Sequence, residues 1–76
     1  MKVLYLANNR IQELPPEFTE LAQLASLDLN WNRLTSVPED FVKMINLKNL
    51  GLYENKIQES EKVKIQKMLP DCNITF

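Results

Sequence analysis

"LDLNWNRL", residues Leu27–Leu34, changes its pattern half-way along. Up to Leu29, leucines alternate with polar residues, as expected for a short strand that buries one face, because strand side chains point alternately to opposite faces. The stretch then places Trp31 between two asparagines. An amide-rich turn that contains a large aromatic side chain is therefore predicted directly after the strand.

The same pattern recurs at a fixed distance. "LYLANNRI" begins at Leu4 and "LGLYENKI" at Leu50, so the three stretches are 23 residues apart. A fixed period in this range is typical of repeat architectures. The first two units also agree in their second halves, whereas the third departs from them after Ile57. The agreeing positions are Leu14 and Val37, Pro15 and Pro38, Phe18 and Phe41, and Leu21 and Met44.

These units resemble the leucine-rich repeat family, whose pattern is L-x-x-L-x-L-x-x-N-x-L followed by L-P-x-x-F-x-x-L. The last residues, "LPDCNITF" (69–76), resemble the closing unit of bacterial chains of that family. The resemblance implies an α/β solenoid with a short parallel sheet on its concave side, helical or 3-10 turns on its convex side, and a C-terminal capping helix and strand. It implies one domain, 1–76, made of repeats 1–23 and 24–46 and a third repeat with its cap at 47–76.

The expected elements follow from this period. Strands are predicted near residues 3–6, 26–29 and 49–52, and convex turns near Pro16–Ala22 and Glu39–Met44. A helix is predicted from Glu59 to Leu69, because its early glutamates and later lysines suit the helix dipole and Pro70 ends it. A closing strand with alternating apolar residues should follow, in which Cys72 is expected to be a small buried side chain.

Position nine of each unit carries an asparagine, namely Asn9, Asn32 and Asn55. A buried turn leaves backbone N–H and C=O groups that need partners, and a primary amide can both donate and accept hydrogen bonds. We therefore expect these three residues to form an internal asparagine ladder with a structural role.

The variable positions predict a binding surface on the concave face. The candidate partner-binding residues are Tyr5, Asp28, Asn30, Trp31, Tyr53 and Glu54. Asn30 and Trp31 are not required by the repeat pattern, and Gly51 should leave a shallow spot below Tyr53. Exposed aromatic residues often anchor protein interfaces, so Tyr5, Trp31 and Tyr53 form a predicted aromatic patch. An equally weighted interpretation is that these rings only cover one another and the sheet.

Position ten is cationic in every unit, as Arg10, Arg33 and Lys56. An acidic partner could bind such a row, although like charges on neighbouring strands cost some stability. We favour the interpretation that Glu13, Glu54 and Glu59 neutralise the row locally.

Composition excludes several classes of function. The chain has no histidine, one cysteine and one glycine, so no histidine-based catalytic or metal site and no glycine-rich phosphate loop is expected. We therefore predict that it is not an enzyme and has no cofactor or metal. A net charge of −1 gives no reason to expect nucleic acid or an anionic membrane as a partner. No signal peptide or membrane span is recognisable, and a cytoplasmic location follows if Met1 is the native start.

Three hypotheses about function remain. The first is a protein–protein interaction module that binds its partner through the concave face. The second is a C-terminal capping piece of a longer array, or a mini-solenoid that self-associates. The third and weaker one is the regulatory repeat segment of a bacterial effector. The second hypothesis draws on Met1, Leu4 and Leu6, which begin an apolar layer that no cap is expected to cover, so a homodimer through the first repeat is predicted.

Overall fold

The computed structural model describes residues 2–76. Four short parallel strands form one sheet in the order β1-β2-β3-β4. They are β1 (Val3–Tyr5), β2 (Ser26–Asp28), β3 (Asn49–Gly51) and β4 (Asn73–Thr75). The predicted strands and their parallel arrangement are confirmed, and Leu4, Leu27 and Leu50 stand side by side in the ladder.

The core lies between this sheet and a layer of 3-10 helices on the other side. Leu27 and Leu29 are 1% and 0% exposed, because the alternation along the strand turns both toward the core. Phe41 from the convex layer is equally buried, and its ring stacks on Phe18 with 6.2 Å between centroids. Burying each such side chain contributes about 1.5–3 kcal/mol, so these apolar contacts are the main stabilisation of the stacked units.

Two 3-10 helices form the convex layer, at Pro16–Glu20 and Glu39–Lys43, as predicted. Each begins directly after a proline, Pro15 or Pro38, whose fixed φ favours entry into the helix. Each of the two helices is short, because each unit needs only to cross the convex side before it returns to the sheet.

The C-terminal unit replaces the third 3-10 helix by an α-helix, α1 (Glu59–Met68), and then adds β4 to the sheet. Ile65 is 1% exposed and Leu69 is 7% exposed, so the helix covers the core beside the third unit. Lys64 Nζ lies 3.2 Å from Glu39 Oε1, which links α1 to the second 3-10 helix. The predicted capping helix and closing strand are therefore present.

Cys72 is less buried than predicted. It is only half-buried, because β4 is the edge strand on this side of the sheet. Partial burial still raises the pKa of its thiol, and the positive charge of Lys48 opposes that effect. The thiol is therefore the protonated form at neutral pH and packs against the core as a small apolar group.

The first unit is covered less completely than the second. Leu4, Leu6 and Ile11 are half-buried, whereas the corresponding residues of the second unit are 1%, 0% and 0% exposed. These corresponding residues are Leu27, Leu29 and Leu34. The apolar layer predicted to lack a cap is thus partly exposed, although its member Met1 lies outside the described residues. None of the helices within 2–76 is long and apolar enough to span a bilayer.

Candidate functional site

The turn after each strand is organised by its asparagine. Asn32 Oδ1 accepts hydrogen bonds from the backbone N–H groups of Asn9 at 3.0 Å and Ile11 at 2.9 Å. Its Nδ2 donates to the carbonyl oxygens of Leu6 and Leu29, both at 2.9 Å. Asn32 is 7% exposed, so its amide joins two neighbouring turns from inside the molecule.

Asn55 makes the corresponding bonds one unit further along. Its Oδ1 accepts from Leu34 N–H at 2.9 Å, and its Nδ2 donates to Leu29 O at 2.9 Å and Leu52 O at 3.1 Å. Asn9 is exposed, and its Nδ2 donates to carbonyl groups of its own turn. The geometry of Asn32 and Asn55 supports the internal ladder that we propose, whereas Asn9 is exposed and its side chain joins no second turn.

Position eight of each unit has a left-handed backbone, which no glycine in the sequence signals. The φ angles are 63° at Asn8, 59° at Trp31 and 58° at Glu54. Asparagine tolerates this conformation, but for a residue with a larger side chain it costs roughly 1–2 kcal/mol. The turn carries Trp31 away from the core, and its side chain is 53% exposed.

Trp31 and Tyr53 form a defined pair of rings on neighbouring units. Their centroids are 5.9 Å apart at an interplanar angle of 83°, the edge-to-face arrangement that aromatic rings favour. The backbone reinforces this pair, since Trp31 N–H donates to Tyr53 O at 2.8 Å. Tyr53 is 45% exposed, so about half of each side chain still faces solvent.

The prediction that the repeat scaffold does not require Asn30 is wrong. Its Oδ1 accepts a hydrogen bond from Tyr53 N–H at 2.7 Å, and its own N–H donates to Asp28 Oδ1 at 3.0 Å. Asn30 thus fixes the backbone that carries Tyr53. Its half-buried side chain is a positioning group and not a free contact for a partner.

The prediction of a shallow spot at Gly51 is also wrong. A Cβ atom at this position would lie 2.8 Å from Asn30 Oδ1, so the glycine makes room for the Asn30 side chain. The shallow spot predicted below Tyr53 is therefore filled. The sequence signal for this contact is a glycine at position five next to an asparagine at position seven of the preceding unit.

The remaining candidates are spread along the concave face. Tyr5, Asp28 and Gly51 stand in one row of the ladder, and Tyr5 is 76% exposed. Within residues 2–76, Tyr5 contacts no other aromatic ring. Glu54 is exposed in the turn directly after Tyr53. The structure thus brings Trp31, Tyr53 and Asn30 together and leaves Tyr5 apart.

The carboxylates predicted to neutralise the cationic positions form no ion pair with them among residues 2–76. Ion pairs in the described part of the chain join Lys43 with Asp40, Lys62 with Glu59, and Lys64 with Glu39. None of them involves Arg10, Arg33 or Lys56, nor Glu13 or Glu54. Glu59 begins α1 and pairs instead with Lys62, one helical turn away. Glu13 lines a depression together with Arg33 and Lys56 without an ion pair.

The described residues contain no cluster of three acidic or cysteine side chains that could hold a metal ion. Four parallel strands, a convex helical layer and asparagine-lined turns instead define a repeat scaffold. The sequence model of the leucine-rich repeat family matches residues 1–57. The chain belongs to the leucine-rich repeat family.

One solved structure shows how closely the fold agrees. A leucine-rich repeat protein from Leptospira interrogans is 40% identical to this chain, over 99% of the chain and 19% of that protein, with a TM-score of 0.96. This chain therefore spans about a fifth of that relative. No curated protein matches it. The predicted solenoid fold is confirmed, and the bacterial assignment agrees with a Leptospira relative. Leucine-rich repeat domains commonly mediate protein–protein interactions and are generally non-enzymatic.

Proposed function

We propose that this leucine-rich repeat chain is a protein-binding module whose partner docks on the concave sheet face, with Trp31 and Tyr53 as the anchor. The observation that carries the proposal is the exposed edge-to-face pair, in which the side chains are 53% and 45% exposed. Aromatic anchors are effective because they bury a large area. Here the mutual packing of the rings already restrains them, which lowers the entropy cost of binding.

Backbone strain favours this proposal over the interpretation that the two rings only cover one another. The turn accepts asparagine at position eight, as Asn8 shows in the first unit, yet the second unit carries Trp31 there at φ 59°. A bulky residue kept in a left-handed conformation is typical of sites where function outweighs stability.

The surroundings of the pair indicate the chemistry of the partner. Asp28 keeps one carboxylate oxygen available after the other accepts the Asn30 N–H group, and Glu54 joins no ion pair within residues 2–76. Carboxylates beside exposed rings suit a lysine or arginine side chain, which can approach an aromatic face and an anion together. Tyr5, further along the same face, would extend the contact.

Site-specific photo-crosslinking tests the docking surface. A photoreactive phenylalanine analogue in place of Tyr53 should give a discrete crosslinked product in an extract of the bacterium that encodes the chain. The matched control carries the analogue at Val42, which is 52% exposed on the convex 3-10 helix. Trp31→Ala in the Tyr53 variant should abolish the product. Equal products from both positions, or a product that survives Trp31→Ala, would contradict the proposal.

A second candidate function is a unit of a longer array, or a self-associating solenoid. The partial exposure of Leu4, Leu6 and Ile11 favours it, because a further unit or a second copy stacked on β1 would bury them. The match to only 19% of the Leptospira protein also fits an array larger than this chain. This candidate is compatible with the first, since stacking on β1 leaves the aromatic pair open.

A further inference from the structure

A second surface is formed by Arg10, Arg33 and Lys56, here called the cationic row. All three side chains are exposed and occupy the same position in successive units. The turns that carry them are joined directly, since Arg33 N–H donates to Ile11 O and Lys56 N–H donates to Leu34 O, both at 2.8 Å. Because these backbone bonds continue the ladder, the backbone positions that carry the cations follow the strand spacing of about 4.8 Å. Arg10 begins the row with a left-handed backbone, at φ 58°.

No ion pair among residues 2–76 joins the cationic row to a carboxylate, although Glu13 lines the same depression as Arg33 and Lys56. Two unit charges 4 Å apart repel by about 1 kcal/mol in water and more near a protein surface. Like charges at the same position of neighbouring units cost a little stability, which one acidic residue in the row would relieve. An external anion would relieve it as well.

Polar side chains adjoin the row. Position twelve carries Gln12, Thr35 and Gln58, all exposed. A shallow depression between the rows is lined by two cations and one carboxylate, so the net charge of its lining is positive. Its lining residues are Gln12, Glu13, Arg33, Thr35 and Lys56. Amide and hydroxyl groups can donate to carboxylate oxygens that the cations attract.

We infer that the cationic row binds an acidic segment of a partner protein, separately from the aromatic pair. Three cations at this spacing extend over about 10 Å, which suits several carboxylates better than a single small anion. Carboxylates four residues apart on a helix, with Cβ atoms about 5–6 Å apart, match the spacing of the row. A net charge of −1 gives the whole chain no long-range attraction to any polyanion, an acidic segment included, so recognition must be local.

Fluorescence anisotropy with a labelled hexaglutamate peptide at low ionic strength tests this inference. The test variant combines Arg10→Gln, Arg33→Gln and Lys56→Gln. The control combines Lys2→Gln, Lys48→Gln and Lys67→Gln, which removes the same charge from residues that join no described ion pair. We expect the test variant to bind at least about tenfold more weakly than wild type. The control variant should stay within about twofold.

Further measurements distinguish binding at the cationic row from binding elsewhere on the chain and from a loss of folding. Trp31→Ala should leave peptide binding unchanged, and added salt should weaken it, because exposed charges are screened. A thermal melt of the test variant should show no loss of stability, since the substitutions remove repulsion. Arg33→Glu alone should also weaken binding if the triple variant folds poorly.

Three results would overturn the inference. The first is an equal loss of peptide affinity in the test and control variants, which would mean that binding depends only on the overall charge of the protein. The second is the absence of hexaglutamate binding by the wild-type chain at low ionic strength. The third is tighter binding to phosphatidylserine vesicles than to the peptide, because that would assign the row to a lipid surface.

Discussion

At the scale of single residues, Asn32 bonds backbone groups of two neighbouring turns, and the N–H groups of Asn9 and Ile11 donate to its Oδ1 alone. Asn32→Ala would leave both of these N–H groups without an acceptor. The carbonyl groups of Leu6 and Leu29 would each lose one of their two amide donors. We expect the free energy of unfolding to fall by about 1–3 kcal/mol, which urea denaturation would measure. Asn9→Ala is the control, because the exposed Asn9 amide donates only within its own turn. A loss as large for Asn9→Ala would refute the buried ladder.

Glu54 shows the cost of the left-handed position eight without an aromatic contact to offset it. Its φ is 58°, and its side chain joins no ion pair within the described chain. Asparagine tolerates this conformation better. We therefore expect Glu54→Asn to raise the free energy of unfolding by roughly 0.5–1 kcal/mol, a fraction of the usual left-handed penalty.

The control for this prediction is Glu13→Asn, which removes the same charge at a position without a positive φ. Thermal and urea denaturation of both variants would compare them. If Glu13→Asn stabilises the chain equally, then charge and not backbone conformation accounts for the gain.

At the scale of elements, β2 and β3 are coupled through a side chain as well as through the ladder. Gly51→Ala would place a methyl group 2.8 Å from Asn30 Oδ1 and displace the amide from Tyr53 N–H. We expect a loss of about 1–2 kcal/mol, from overpacking and the broken hydrogen bond. In an Asn30→Ala background the three atoms nearest to the methyl group are absent, so the same substitution should cost clearly less.

A double-mutant cycle with Gly51→Ala and Asn30→Ala measures this coupling by urea denaturation. Additive losses would show that the glycine serves the strand backbone and not the Asn30 side chain.

The elements were predictable from the sequence because apolar spacing reports directly which face of an element is buried. Leu27 and Leu29 identify a strand by alternation, and the change after Ile57 identifies the different final unit. The role of Asn30 was not predictable in the same way, since a period fixes the face but not which backbone group a side chain reaches. The left-handed turn at Trp31 was missed for a related reason, because no glycine marks it.

At the scale of the whole molecule, the stacking of units decides which surfaces remain available. Each unit of a solenoid contacts only its neighbours, so side chains outside the stacked core lie side by side in successive units. The aromatic pair comes from positions eight and seven of two neighbouring units, and the cationic row occupies position ten of the same turns. A partner that carries both basic and acidic residues could therefore contact both surfaces at once, in one orientation.

The outer edge of β1 is the third surface, and whether a second copy of the chain pairs with it can be measured directly. Leu4 and Leu6 are half-buried there, and Val3 is 45% exposed on the same strand. Edge strands pair with other chains, so we expect the 76-residue chain to form a dimer with two-fold symmetry in which first units face each other. Light scattering should show this dimer for wild type and a monomer for Val3→Lys, because a charge on the edge strand opposes pairing. Trp31→Ala is the control and should remain dimeric. If only Trp31→Ala gives a monomer, self-association occurs through the concave face. If wild type is a monomer at high concentration, the dimer is refuted, and a further unit of an array is then the candidate that stacks on β1.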